Sequence, residues 1–256
     1  MELQIISDLH LEFFHPTKGL KSAIFNTRLK SKNIALLGDI GYPSTKLYKG
    51  YIKYLSENCD NVFIIAGNHE YYNNSTDISE TESQLENISK EYLNVHYLQN
   101  NFIELEDYII AGTTLWVNYG EIDHKTVIEE LNDFDCIFKN GGHKLCPLDI
   151  VELHNKAISF LEKLVISHKN KKIIVLTHHA PTLKDSSVPE LLDDPLKLAY
   201  ATNLEYLMTS DVVLWGYGHT HHKSDIIINK TRVYSNPRGY LDEKTGYKYG
   251  ETLIIN

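Results

Sequence analysis

The chain has little that would carry it into or across a membrane. No apolar stretch approaches the length of a membrane span. The N-terminus has no basic flank followed by a long apolar run, which argues against secretion. Cysteine is scarce and odd in number, and Cys59, Cys136 and Cys146 share no close metal-ligand spacing. That argues against a cysteine-held structural zinc centre and fits reduced thiols in the cytoplasm. Cationic charge is also short. Lysine and arginine number 25 against 34 acidic residues, a formal net charge of -9, so a broad nucleic-acid surface is not expected. The one notable basic cluster, Lys169, Lys171 and Lys172, reads as a solvated helix end. No internal repeat or low-complexity segment divides the chain.

What is present is an ordinary globular composition, 42% hydrophobic and 23% charged over 256 residues, enough for one large core. We expect one domain spanning residues 1–256, soluble and cytoplasmic. Short apolar runs predict strands at Leu3–Ile6, Ile34–Leu37, Val62–Ala66, Tyr108–Ala111, Ile173–Leu176 and Val212–Trp215, several of them covered on both faces. The best helix runs roughly from Asp149 to His168, with Ile150, Ala157, Ile158, Leu161, Leu164 and Val165 on one face. Weaker helices are expected near Tyr48–Asn58, Ile78–Tyr92, Lys125–Leu131 and Leu196–Met208. Toward the C-terminus, Asp225–Asn229, Arg232–Ser235 and Thr252–Ile255 read as strands, with Asn229-Lys230 as a hairpin tip. The Asn-, Asp- and Gly-rich stretch 116–147 reads as a loop-rich excursion over the sheet rim.

The polar residues fall where these runs stop. The first run ends in Ser7-Asp8-Leu9-His10, the second in Gly38-Asp39 and the third in Gly67-Asn68-His69-Glu70. The fifth ends in Thr177-His178-His179, and the sixth leads into Gly218-His219-Thr220-His221-His222. Alone, each is weak, because Asp after Gly usually makes a turn and an acid near a histidine is common. His219 and His221 say more, since alternation puts both imidazoles on one side of an extended segment. Five strand ends carrying oxygen and nitrogen donors in register point to a metal centre. Mixed carboxylate, amide and imidazole ligands suit manganese, iron, zinc or cobalt.

In that order D-x-H, G-D, G-N-H-E, H-H-A-P and G-H-T-H resemble the calcineurin-like metallophosphoesterase superfamily. The likeness extends to Gly112-Thr113-Thr114-Leu115-Trp116, Leu131-Asn132-Asp133 and Asn236-Pro237-Arg238-Gly239-Tyr240, a set associated with a small single-domain branch. The resemblance implies an α/β fold, a β-sandwich flanked by helices, with a dimetal site at the sheet rim. It implies that Asp8, His10 and His221 hold one metal, that Asn68, His178 and His219 hold the other, and that Asp39 bridges both. His69 is then the catalytic residue facing substrate. The implied activity is hydrolysis of phosphate mono- or diesters by attack of a hydroxide bridging two divalent or trivalent metal ions. Manganese is favoured, with iron, zinc, cobalt and nickel as alternatives. The expected partner is a small-molecule phosphate ester, with no membrane and an open oligomeric state.

Asn132, Asp133 and Arg238 are candidate substrate-binding residues, although a structural ion pair suits Arg238 equally. Phe134-Asp135-Cys136 follow where basic residues are expected, so a phosphate-contacting charge is missing there. Glu70 is read as supporting His69 or capping a helix start, and His179 and His222 as neighbours of ligands. Tyr71 and Tyr72 are read as packing under their loop. Gly38-Asp39 lacks the Asp-Arg-Gly continuation of protein Ser/Thr phosphatases, and Asp8 stands where lariat-debranching relatives have Cys. The alternative from another class is a non-catalytic metal-binding scaffold or interaction protein. All seven ligand positions and His69 are present, which weighs against it.

Overall fold

Runs such as Val62–Ile65 have no polar face, so a strand built from them must be covered on both sides. The computed structural model does this with two sheets packed face to face and helices outside; it describes residues 1–15, 17–72, 76–139, 141–187 and 194–255. The elements in chain order are β1 (Glu2–Ile6), α1 (Gly19–Thr27), β2 (Asn33–Leu37), α2 (Lys46–Asn58), β3 (Asn61–Ile65), α3 (Ile78–Lys90), β4 (Val95–Tyr97), β5 (Asn101–Leu105) and β6 (Tyr108–Thr113). They continue with α4 (His124–Glu130), α5 (Asp133–Cys136), β7 (Phe138–Lys139), β8 (His143–Lys144), α6 (Pro147–Ser167), β9 (Lys172–Thr177), β10 (Val212–Tyr217), β11 (Ser224–Ile228), β12 (Thr231–Ser235) and β13 (Thr252–Ile254).

One sheet has the order β13-β1-β2-β3-β4 and the other β11-β12-β10-β9-β6-β5. In each, the inner strands run parallel and an antiparallel strand closes an edge. Alternate residues divide between two environments. Leu3, Ile5, Ala35, Leu37, Phe63 and Ile65 meet Ile110, Ile174, Leu176 and Leu214 between the sheets. Ile6, Ile34, Leu36, Val62 and Ile64 face outward onto α2 and α3 through Tyr51, Ile52, Leu55, Leu85 and Ile88. On the other side Ile109, Ile173, Val175 and Trp215 pack beneath Ala157, Leu161, Leu164 and Val165 of α6. Each buried Leu, Ile or Val contributes about 1.5–3 kcal/mol of transfer free energy.

The six long strands, α2, α3, α4 and the C-terminal strands lie where the apolar pattern puts them, within one or two residues at most ends. Helix α6 begins two residues early because Pro147 occupies its first turn and the Asp149 carboxylate accepts from the Cys146 N–H at 2.9 Å. Asn229 and Lys230 both have positive φ (48 and 78) and close the β11–β12 hairpin. The helix expected over Leu196–Met208 is not formed. Two short 3-10 turns, Pro195–Ala199 and Glu205–Leu207, replace it, because the intervening N–H groups of Thr202 and Leu204 donate to the carbonyls of Ala180 and Pro181 instead. The excursion is also more ordered than expected. Apart from Asn140, outside the described residues, it carries α4, α5 and the β7–β8 hairpin. Among the described residues no helix is long and apolar enough to cross a membrane.

Candidate active site

The C-terminal ends of the inner strands open onto a shared rim, and the loops that follow are held by backbone bonds between them. The N–H groups of Asp8 and His10 donate to the carbonyls of Gly38 and Asp39 at 3.0 and 2.9 Å. Asp8, His10, Asp39, His219 and His221 all have left-handed backbone, with φ of 54, 51, 53, 68 and 49. Non-glycine residues avoid that region unless the surrounding structure imposes it, and such strain concentrates at functional sites. Space is equally tight. A Cβ on Gly67 would lie 2.2 Å from Asp39 Oδ1, and one on Gly38, at φ 81, would lie 2.3 Å from His178 Nδ1.

The side chains converge as two groups. Asp8, His10 and His221 bring one donor atom each within 4.8 Å of one another, and so do Asp39, His178 and His219. Asp39 faces both groups, with Oδ1 3.4 Å from His178 Nε2 and Oδ2 4.0 Å from His10 Nε2. The proton inventory shows what these groups lack. His178 Nδ1 donates to the Leu37 carbonyl at 2.8 Å, which in the neutral ring leaves Nε2 with a lone pair facing Asn68 Oδ1 at 3.0 Å. Asn68 cannot be turned around, because its Nδ2 donates to the Asp133 carboxylate at 3.0 Å and to Tyr72. Lone pairs of imidazole, amide and carboxylate therefore meet in one buried place. In the other group His10 Nε2 and His221 Nε2 lie 3.2 Å apart beside Asp8, so one ring gives the proton between them and the other faces it with a lone pair. A divalent cation satisfies such a donor set, and the residues present fit it.

Electrostatics without a metal show the same strain. Burial tends to raise Asp8, but the His221 hydrogen bond and charge, with His178 and His10, bring it down to about 2. Burial opposes protonation of His221, yet Asp8 and Glu243 raise it to about 10. Loss of water around His219, with His179, His178 and His221 close by, drives its imidazole far below the usual range. His69 N–H donates to Asp39 Oδ1 at 2.9 Å, and its ring stacks on Tyr72 at 4.3 Å between centroids. Burial would lower its imidazole, but Asp39 and Glu12 raise it to about 9.

Glu70 points away from His69. Its carboxylate accepts the N–H groups of Gly67, Asp39, Ile40 and Gly41 at 2.6, 2.9, 2.7 and 3.3 Å and staples the Gly38–Gly41 loop. His179 is buried against His219, ring centroids 4.1 Å apart, and His222 reaches Asp185.

A cavity of about 380 Å³ opens over this floor, lined by Asp39, Asn68, His69, Asn132, Asp133, His219 and His221 with Tyr72, Tyr200 and Tyr240 at its walls. Asn132 and Asp133 thus enter from the excursion, and the Asp133 carboxylate is spent on Asn68 and Tyr72. Tyr72 lines the cavity wall, whereas Tyr71 is buried beneath. Arg238 turns aside. Its N–H donates to Ser7, its guanidinium donates to the Gly239 carbonyl and lies over Phe14, and it borders a neighbouring groove with Tyr247 and Tyr249. Sequence reading passed over Glu12 and Glu243. Glu12 continues the alternation of D-L-H-L-E, a signal visible in the chain, whereas nothing around Glu243 announces its 2.6 Å contact with His221.

Residues 1–223 match the sequence profile described as calcineurin-like phosphoesterase. The chain belongs to that family. In general terms it is a metal-dependent phosphoesterase, and its two clusters are candidate ligand sets for the divalent ions the family uses. A relative from Acanthamoeba polyphaga mimivirus, described as an uncharacterized protein, is 32% identical over 262 residues, covering 96% of this chain and 93% of its own. Among solved structures, phosphopantetheinyl hydrolase (PptH) from Mycobacterium tuberculosis superposes with a TM-score of 0.65 at 16% identity, over 93% of this chain and 89% of that one. That likeness is one of fold.

Proposed function

We propose that this calcineurin-like phosphoesterase hydrolyses a small phosphate mono- or diester at the two clusters that meet on Asp39. The observation that carries the reading is the placement of Asp39 Oδ1 toward His178 and Oδ2 toward His10, one carboxylate facing two donor sets with His69 beside it. Asp8, His10 and His221 would hold one ion, Asn68, His178 and His219 the other, and Asp39 both. When bound, the pair of ions supplies an acidified water as nucleophile and a clamp for phosphate oxygens.

The chain's own groups supply the rest. His69 carries its Nε2 on the cavity side, 3.4 Å from the Tyr240 hydroxyl. There it is placed to give a proton to the leaving oxygen or to offset charge on the phosphoryl group. Tyr72, Tyr200 and Tyr240 wall the cavity and position the organic part of the ester. Manganese is the favoured metal and the cytoplasm the favoured compartment.

The test is hydrolysis of p-nitrophenyl phosphate and bis-p-nitrophenyl phosphate by metal-stripped protein resupplied with manganese, nickel, cobalt, zinc, magnesium or iron, with metal content measured on the same samples. Turnover restored with two ions per chain is expected. His69→Ala should then keep both ions while kcat falls about 10²–10⁴-fold, whereas Asp39→Asn should lose metal as well as activity. Full activity in Asp39→Asn would remove its bridging role, and no bound metal in the wild type would leave a scaffold.

A further inference from the structure

Glu12 lies in the short 3-10 turn Leu11–Phe13 that follows β1, with a side chain only 3% exposed. One of its oxygens, Oε1, is 2.9 Å from His10 Nδ1 and 2.9 Å from His69 Nδ1. A carboxylate only accepts, so both ring nitrogens must be the N–H donors. Its second oxygen, Oε2, is buried and, among the described residues, has no hydrogen-bond partner. A carboxylate taken out of water with one oxygen left unpaired carries a desolvation cost that packing alone does not require. What it does accomplish is chemical, because the two imidazoles belong to different parts of the site. His10 points its other nitrogen, Nε2, at His221 and Asp39, and His69 points its Nε2 at the cavity side.

From this clamp we infer that Glu12 is a positioning residue that takes the Nδ1–H of both His10 and His69 and fixes their ring orientation together, so that one presents the Nε2 lone pair to metal and the other presents Nε2–H to substrate. The inference rests on the proposed phosphoesterase reading for the role of His69, but not for the clamp itself. A carboxylate on the far nitrogen of a ligand imidazole raises its basicity and holds its plane, and loss of such a partner weakens metal binding about 10–100-fold. Sharing Oε1 ties the two rings to one anchor.

The test uses Glu12→Gln and Glu12→Ala in the full chain. Metal affinity is measured by chelator competition, with zinc as the probe. The ring nitrogens of His10 and His69 are read by long-range ¹⁵N–¹H spectroscopy on the zinc-loaded protein, and kcat and KM on the chromogenic ester. Glu12→Gln keeps the shape and an acceptor oxygen but not the charge. It should retain the Nδ1–H form of both rings and lose about tenfold in metal affinity. Glu12→Ala should lose about a hundredfold, let the His69 ring lose its Nδ1–H and its fixed orientation, and lower kcat at saturating metal with KM little changed. Wild-type zinc affinity in Glu12→Gln, or wild-type ring protonation in Glu12→Ala, overturns the inference. Should Glu12→Ala fail to fold, Glu12→Gln decides alone. If the wild type binds zinc without turning over either ester, the affinity and ring-nitrogen measurements still decide it, so its failure and that of the phosphoesterase reading stay separate.

Discussion

Asn68 illustrates how a neutral side chain becomes a directed donor. Its amide offers oxygen to the site because Asp133, which can only accept, takes the Nδ2 hydrogens from the other side at 3.0 Å. Burial raises the Asp133 carboxyl despite its bonds to Tyr72 and Asn68, so removing it relieves a buried charge while freeing the amide to turn. Asp133→Ala should therefore weaken binding of the ion proposed at Asn68, His178 and His219 about 10–100-fold. The other ion should be retained, whereas Asp133→Asn, which keeps an acceptor, should fall between. Chelator competition that resolves two affinities checks this, and equal losses of both ions would contradict it. Glu70 acts at one remove further, since its four N–H partners belong to the loops that carry Asp39 and Asn68.

Elements set how closely those loops approach. Strands β2, β3 and β9 deliver Gly38, Gly67 and His178 to a point where no Cβ fits between Gly67 and Asp39. Gly67→Ala would put a methyl 2.2 Å from Asp39 Oδ1 and 2.6 Å from the Asp39 backbone nitrogen, so backbone as well as side chain must yield. We expect this variant to fold around the same sheets and to lose metal-dependent turnover by about 10²-fold, the penalty typical of a misplacement near 1 Å. Circular dichroism with metal titration separates that outcome from unfolding, and an alanine variant with wild-type metal content and turnover would refute it. The loop from Ala199 to Met208 belongs to the same level. Helical pattern yields there to cross-chain bonding with Ala180 and Pro181, which brings Tyr200 to the cavity wall.

For the molecule as a whole, the clustered imidazoles tie stability to metal and pH. Without metal, His69 and His221 are raised from 6.5 to about 9 and about 10. Groups raised on folding contribute stability that is present below pH 6.5 and lost as pH climbs through 9 to 10. Metal needs the deprotonated nitrogens, so its stabilisation grows over the same range. The melting temperature of chelator-treated protein should thus fall from pH 7 to 10, while the gap to metal-saturated protein widens and ligation releases protons. Thermal scans with and without chelator test this, and a gap that narrows with rising pH would contradict it. Toward acid, Asp8 and Glu12 are held at about 2 by their histidines, so their contribution is present above the ordinary carboxylate range and lost as pH falls through 2.

Much of this was legible in the chain because the fold is written in runs such as Ile34–Leu37 and Ile173–Leu176, whose lack of a polar face demands cover on both sides. Donors at the ends of those runs pointed to a metal centre for the same reason, since parallel strands bring their ends to one rim. Their pairing followed from the family resemblance and not from spacing. Asp8 and His221 are 213 residues apart by number, and only the packing of two sheets makes Asp39 face both sets. The edge strands β4 and β5 went unread because three residues, or a half-exposed run such as Asn101–Leu105, carry too little pattern. Glu243 and the turned-away Arg238 were decided by tertiary structure alone, whereas Glu12 left its mark in the alternation of D-L-H-L-E. A side chain's partner depends on which loop lies opposite, and that is a property of the folded chain, not of its local sequence.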